Sequence, residues 1–226
     1  MNGVKTLVLD VAPLTERVRN YFNCPTARGA YLENQGGSGS VGSHFERRVF
    51  GNEVMTASSM IDQRISEFSL ALLEGTGWYK VNYELAEPMT YGKNKGCDFL
   101  NKKCMNKKTR TANFPEFCSP LTSRGVSWTG RGYGVCGTNF PEASSDLIDD
   151  FDYWKNQTVV VDKFSDNCPM ILSSHRTDCE NTKYINPGPN LDEYEFRGPG
   201  SKAFMGSLAR QGDYYSHFGY CFKPKV

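Results

Sequence analysis

Three histidines are the residues whose spacing bears most directly on chemistry: His44, His175 and His217. Their separations exclude the helical i, i+4 pair through which two imidazoles bind one zinc ion from a single face. The motif H-E-x-x-H does not occur, so no glutamate is placed to act as a general base beside such a pair. The chain alone is therefore predicted to be unable to assemble the usual hydrolytic zinc site.

Cysteine is the second residue type with chemical potential, and the sequence contains eight. They are Cys24, Cys97, Cys104, Cys118, Cys136, Cys168, Cys179 and Cys221. An even number without the close pairs that thiolate zinc sites use predicts disulfides and a secretory route. Spacing alone does not choose among the roughly 105 connectivities that eight cysteines allow. The sequon at Asn156 is a glycosylation candidate that agrees with secretion.

Motifs for serine nucleophiles and phosphate binding are missing from the sequence. No G-x-S-x-G elbow occurs. The glycine-rich run 35–43, QGGSGSVGS, is followed by His44, Phe45 and Glu46 rather than by the lysine of a phosphate-binding P-loop. The run is predicted to be a loop that either flexes or lets backbone pass closely.

The elements that would position these residues are visible as short periodic segments. A strand is predicted over 6–11, followed by a helix that begins near Pro13 and ends near Cys24. Its buried face would contain Leu14, Val18, Tyr21 and Phe22. A second, stronger helix is predicted to begin near Ser59, with Asp62 completing its cap, and to end at Gly75 or Gly77. Its apolar stripe would be Ile61, Ile65, Phe68 and Leu72.

Beyond about residue 90 the pattern changes to short β-like runs separated by Gly, Pro, Asn and Ser. Strands are predicted over 132–136 and 158–164, with turns over 186–190 and 197–200. This half is predicted to be a loop-rich domain stabilised by disulfides.

Composition describes a folded protein, with 38% hydrophobic and 23% charged residues. A net charge of +1 gives no reason to expect nucleic acid or an anionic membrane as a partner. A basic cluster between residues 102 and 110 is predicted to lie on a solvated loop. The first residues do not form a signal peptide, and no run of about 18 apolar residues could span a bilayer. A cysteine-rich chain without an export signal suggests that sequence is missing upstream.

Residues 31–60, YLENQGGSGSVGSHFERRVFGNEVMTASSM, resemble the segment of leishmanolysin-type zinc metallopeptidases that contains the third zinc histidine and the Met-turn. The resemblance continues through YFNCPT and through ISEFSLALLEGTGWYKVNYELAEPMTYGKNKGCDF. It is strong over 14–100 and looser towards the C-terminus. In this family a long insertion separates H-E-x-x-H from the third histidine, so a chain beginning inside the insertion contains only the latter.

The resemblance implies specific roles. His44 would be the third ligand of one catalytic Zn²⁺, and Met55 would form the apolar floor beneath the metal. The general-base glutamate is expected upstream, and the substrates would be proteins or peptides. Cys24 would pair with Cys97. Further candidate pairs are Cys104 with Cys168, Cys118 with Cys136, and Cys179 with Cys221.

Plainer interpretations remain open for these residues. A lone histidine after a glycine loop is ordinarily a surface residue, and a lone methionine ordinarily fills a core. Arg47 and Arg48 could contact a substrate backbone, although adjacent charges are more often solvated. His175 and His217 are interpreted as surface or structural residues.

The resemblance also implies the architecture. The fold class would be α+β, with the C-terminal part of a metzincin catalytic domain over 1–95 and a cysteine-rich, β-rich domain over 96–226. The protein would be secreted or at the cell surface, and membrane association of a longer protein stays open. The 226-residue chain alone is predicted to be inactive and to expose the apolar face of its second helix. The alternatives are a non-catalytic secreted or cell-surface adhesion or binding module, and an inactive truncated remnant.

Overall fold

The computed structural model describes residues 3–137, 149–154, 161–184, 195–206 and 218–223. Its helices are α1 (Ala12–Phe22), α2 (Arg47–Phe50), α3 (Glu67–Gly75) and α4 (Gly96–Asn101). Its strands are β1 (Val8–Leu9), β2 (Ala30–Tyr31), β3 (Arg124–Val126), β4 (Tyr133–Val135), β5 (Lys202–Gly206) and β6 (Phe218–Phe222). Single turns of 3-10 helix lie at Tyr83–Leu85, Asp149–Phe151, Lys163–Ser165 and Thr182–Tyr184. The predicted mixture of helix and strand is confirmed, with strands that pair two by two.

Helix α1 matches its prediction closely. A proline lies in its first turn, where the missing N–H is not needed. The helix buries Leu14, Val18, Tyr21 and Phe22 and ends at Asn23, whose φ of 54° closes the last turn. The strand predicted before it is shorter than expected, since β1 covers only Val8–Leu9 and pairs antiparallel with β2.

The predicted start of the second helix is wrong. Helix α3 begins at Glu67, and Ser66 is its cap, because the Ser66 hydroxyl accepts a hydrogen bond from the Phe68 N–H at 3.1 Å. Upstream, the backbone of Arg64 forms hydrogen bonds with the segment 52–54. These bonds replace the ones that a helix would require. Asp62 is buried and precedes the helix by five residues, so it does not cap it.

The expectation of an uncovered apolar face is wrong for Phe68 and agrees with the exposure of Ile65. Phe68 and Ala71 of α3 are fully buried, and the helix packs against α1. Ile65, a member of the predicted apolar stripe, precedes the helix and is 52% exposed.

Most buried hydrophobic residues belong to one group, called here the main cluster. Phe22 lies at its centre, with ring centroids of Phe68 and Phe99 at 6.1 and 5.9 Å. The cluster continues through Phe117, Phe151 and Met170. It therefore draws on residues from both sides of position 95.

The C-terminal part contains two antiparallel hairpins, β3–β4 and β5–β6, called here the hairpin region. Its own buried cluster consists of Cys179, Ala203 and Cys221, with Val126 and Tyr133 packed against it. The strand predicted over 132–136 is confirmed as β4, and 197–200 forms the predicted turn. The strand predicted over 158–164 is wrong where it is described, since Lys163–Ser165 is a 3-10 turn. Residues 158–160 and the turn predicted over 186–190 lie outside the described residues.

Four disulfides join Cys24 to Cys97, Cys104 to Cys168, Cys118 to Cys136, and Cys179 to Cys221. These are the pairs named from the resemblance and as further candidates. All eight cysteines are used, so none is a thiolate metal ligand. Cys24–Cys97 ties the end of α1 to the start of α4. No described helix is long and apolar enough to cross a membrane.

Candidate functional site

His44 lies at the end of a loop, residues 33–46, that is called here the His44 loop. Gly36, Gly37 and Gly42 adopt φ values of 85°, 77° and 74°, which glycine reaches at no steric cost. At Gly36 an added Cβ would lie 2.3 Å from the Phe164 ring, so the loop backbone approaches its neighbour closely there. The loop is closed at its base because the Glu33 N–H donates to the His44 carbonyl at 2.8 Å.

The loop brings His44 next to the segment that contains Met55. The N–H of Phe45 donates to the Met55 carbonyl at 2.9 Å, and Phe45 forms a parallel bridge with Thr56. Phe45 itself is fully buried, and Met55 is partly buried against the main cluster. The backbones that carry the two residues are therefore adjacent, although eleven positions separate them in the chain.

The imidazole of His44 is half-buried, and its Nδ1 lies 3.1 Å from the Ser43 hydroxyl. A neutral imidazole that is held through one ring nitrogen can bind a metal through the other. Within the described part of the chain, no group of three His, Cys, Asp or Glu side chains is arranged to hold a metal ion. The imidazole of His44 could supply one metal ligand, and the described residues do not form a whole zinc site.

Two buried carboxylates lie at the base of the His44 loop. Glu46 is fully buried, and its carboxylate accepts hydrogen bonds from the Arg48 N–H at 3.2 Å and from Asn34 Nδ2 at 2.9 Å. Glu33 is 1% exposed and accepts from the Gln35 N–H at 2.8 Å. Burial, with a smaller contribution from the charge of Asp166, raises the pKa of Glu33 to about 8 and the pKa of Glu46 well above its usual range.

Arg47 and Arg48 are turned inward. Arg47 is 3% exposed, lies 3.0 Å from the carboxylate of Asp162 and donates to the Ser58 hydroxyl at 2.6 Å. Arg48 is fully buried and donates to the carbonyls of Phe99 and Lys102 at the end of α4. The interpretation of these arginines as solvated is wrong, and neither side chain is available to a substrate.

Glu53 holds the Met55 segment to α3. Its Oε1 accepts from the hydroxyls of Ser66 and Ser69 at 3.0 and 2.5 Å, and its Oε2 accepts from the Met55 N–H at 2.5 Å. The side chain is fully buried, and this burial raises the pKa of its carboxyl group against the lowering effect of those hydrogen bonds. Sequence reasoning missed Glu33, Glu46 and Glu53, whose one local signal is that all three flank the predicted His44 and Met55 segments.

The other predicted residues lie elsewhere. His175 is exposed on a turn, in agreement with its interpretation as a surface residue. His217 and the sequon at Asn156 lie outside the described residues. A surface groove of about 250 Å³ between α1 and α3 is lined by Arg17, Glu67 and Lys93, among others, and includes no residue of the His44 loop.

Comparison with known proteins identifies the family. The leishmanolysin family, peptidase family M8, matches residues 3–225. The chain is 48% identical over 89 residues to a leishmanolysin-like peptidase of Caenorhabditis briggsae, covering 39% of this chain and 13% of that protein. It is 41% identical over 108 residues to a leishmanolysin-like peptidase of Drosophila melanogaster, covering 46% and 16%. It is 32% identical over 171 residues to leishmanolysin of Leishmania donovani, covering 73% and 28%. The chain thus spans less than a third of these relatives, and it belongs to the leishmanolysin family of peptidases.

Proposed function

We propose that this chain is the part of a zinc metalloendopeptidase that supplies the third zinc ligand and the Met-turn. The observation that carries the proposal is the hydrogen bond between the Phe45 N–H and the Met55 carbonyl, which sets His44 and Met55 on adjacent backbones. In this proposal His44 binds the metal through its imidazole, and Met55 lies beneath it without contacting substrate.

The division of roles follows from the residues present. Bound zinc would act as a Lewis acid and would lower the pKa of a bound water. The other two histidines and the general-base glutamate would come from an H-E-x-x-H segment that this sequence does not contain. The 226-residue chain alone would then be inactive. Its substrates, in the complete protein, would be proteins or peptides.

The domain organisation and location belong to the same proposal. Residues 1–95 would form the C-terminal part of the catalytic domain, and residues 96–226 a cysteine-rich domain. The four disulfides support a secreted or cell-surface protein, because such bonds persist in oxidising compartments.

The test compares His44→Ala with His175→Ala in a protein that contains this chain together with an H-E-x-x-H segment. His44→Ala is expected to weaken zinc binding by more than ~10-fold, since changes outside the ligand set already cost about 10–100-fold in affinity. It should also abolish cleavage of a protein substrate. His175→Ala should leave both unchanged, because His175 is exposed on a turn. Unaltered zinc binding in His44→Ala would refute the proposal.

A second candidate function is a secreted or cell-surface binding module, favoured by the side chains of Trp78 and Leu85, which are 85% and 74% exposed. Exposed aromatic and aliphatic side chains are common at protein contacts. The module would bind its partner in the presence of a zinc chelator, and Trp78→Ser would weaken that binding. Cleavage of a protein substrate that requires His44 would instead support the peptidase.

A further inference from the structure

The His44 loop begins and ends on polar contacts that involve few residues. The Glu33 carbonyl accepts from the Gly42 N–H at 2.9 Å, and the Glu33 N–H donates to the His44 carbonyl at 2.8 Å. At the other end, the Glu46 N–H donates to the Tyr31 carbonyl at 2.9 Å. Backbone hydrogen bonds thus align the two ends of the loop.

One side-chain hydrogen bond crosses the base of the loop, from Asn34 Nδ2 to Glu46 Oε2 at 2.9 Å. The Asn34 amide has a partner on each side, because its Oδ1 accepts from Gln35 Nε2 at 2.9 Å. The other Glu46 oxygen accepts the Arg48 N–H that begins α2. Both oxygens of this fully buried carboxylate are therefore acceptors with fixed donors.

The acidic residues here do not form a metal site of their own. Asp162 lies against Arg47, and the described residues contain no three-ligand group for a metal ion. What the Asn34–Glu46 pair can do is mechanical. It joins the second residue of a glycine-rich loop to the second residue after His44, and glycine-rich backbone has more freedom to lose than other sequences.

We infer that Asn34 and Glu46 are positioning residues that hold His44 in the orientation required for binding zinc. This role rests on the proposed function of His44. Removing the pair frees the loop, and a ligand that samples many orientations binds its metal more weakly. The pair acts through the loop and touches neither metal nor substrate.

A reversal of donor and acceptor tests the pair. In Glu46→Gln, the amide must turn its NH₂ group towards a donor in either orientation, because both carboxylate oxygens accept. In Asn34→Asp, two carboxyl groups face each other, and the amide N–H that Glu46 accepted is lost. In the double variant Asn34→Asp/Glu46→Gln, the amide introduced at position 46 donates to the carboxylate introduced at position 34, and the amide oxygen still accepts the Arg48 N–H. The pair then again contains one carboxyl group and one amide.

The first measurement is amide hydrogen exchange in the full 226-residue chain. Each single variant is expected to speed exchange at residues 42–45 by about 10-fold, as the loss of one hydrogen bond inside a buried site predicts. The double variant should restore exchange to within about threefold of the wild type. Glu116→Gln is the matched control, since Glu116 has a largely buried carboxylate that pairs with Lys95 outside the loop. It should not alter loop exchange, and adding Asn34→Asp to it should rescue nothing.

The second measurement is Zn²⁺ affinity, by chelator competition, in a protein that also contains the H-E-x-x-H segment. The single variants should lose about 10–100-fold in affinity, and the double variant should regain it. If the double variant does not restore slow exchange in the loop, the Asn34–Glu46 hydrogen bond does not hold the loop in place. If the double variant restores exchange but the single variants bind zinc as tightly as the wild type, the pair does not position His44 for zinc binding. Retention of zinc by His44→Ala would instead show that the proposed function has failed.

Discussion

Around His44 the backbone rests on the main cluster, whereas the hairpin region has only a small cluster of its own. Phe45, just before α2, and Phe50, its last residue, are fully buried with ring centroids 4.9 Å apart. In the hairpin region, the buried hydrophobic group is Cys179, Ala203 and Cys221, and two of its three members are one disulfide. Apolar burial therefore holds the first region, while a covalent bond and polar contacts hold the second.

The contrast between the two regions shows how a glycine-rich loop can be held in place by its surroundings. The His44 loop contains few side chains that could pack, so its position depends on neighbours that are already rigid. The hairpins carry their own cross-links because short strands bury too little apolar area to be stable alone. Variants that remove each kind of interaction should therefore have different local effects.

The largest effect is expected from Phe22→Ala, at the centre of the main cluster. The ring is fully buried between those of Phe68 and Phe99, so its loss leaves a cavity. The free energy of unfolding should fall by about 3–5 kcal/mol, measured by urea denaturation. Phe204→Ala is the control, because Phe204 is 48% exposed in the hairpin region and should cost under about 1 kcal/mol. Equal costs would remove the distinction between the two regions.

The next largest effect is expected from Cys179→Ala/Cys221→Ala. This disulfide closes a separation of 42 residues, and its loss should cost about 2–4 kcal/mol. Amides of β5 should lose protection from hydrogen exchange, while those of α1 keep it. The matched variant Cys24→Ala/Cys97→Ala removes a disulfide beside the main cluster, where apolar contacts remain. If that variant also unfolds its surroundings, the main cluster does not hold that region by burial.

A smaller effect with a pH signature is expected from Glu53→Gln. The carboxylate accepts from Ser66, Ser69 and the Met55 N–H, so the change should cost about 1–3 kcal/mol. Because burial raises the pKa of Glu53 above its value in the unfolded chain, the folded protein binds the extra proton. The wild type should therefore be most stable below the ordinary carboxyl pKa and should lose stability as pH rises through the raised pKa.

Urea denaturation between acid and neutral pH checks this sign, with the exposed Glu84→Gln as the control. The difference between wild type and Glu53→Gln isolates the contribution of one carboxyl group. A difference that grows in favour of the wild type as pH rises would contradict the burial of Glu53 as the dominant cause.

Helices α1 and α3 show which parts of the fold could be predicted from the sequence. Helix α1 was predictable because its proline and its buried face lie within a single stretch of sequence. The start of α3 was not, since Ser59 and Ser66 are both good caps and the choice depends on Glu53, thirteen residues before Ser66. Helix propensity depends on neighbouring residues in the sequence, so it does not include a contact with Glu53 that forms only in the folded chain.

The candidate site divides in the same way. The resemblance named His44 and Met55, and the structure brings their backbones together. The resemblance gave no indication that Glu33, Glu46 and the two arginines are buried, because adjacent charged residues ordinarily lie in solvent. Arg47 is buried where it contacts Asp162, and Arg48 is buried where it contacts the end of α4, both far away in the sequence.

The smallest effect is expected from Arg131→Lys in the hairpin region, where a polar contact supplements a small core. The guanidinium donates to both oxygens of Asp178 at 2.9 and 3.0 Å, and Asp178 is 2% exposed. Lysine keeps the charge but cannot form both bonds, so the cost should be about 1 kcal/mol. Urea denaturation measures it against Arg176→Lys, an exposed neighbour that should change nothing. A cost that appears only after the Cys179–Cys221 bond is removed would show that the disulfide alone holds the hairpins.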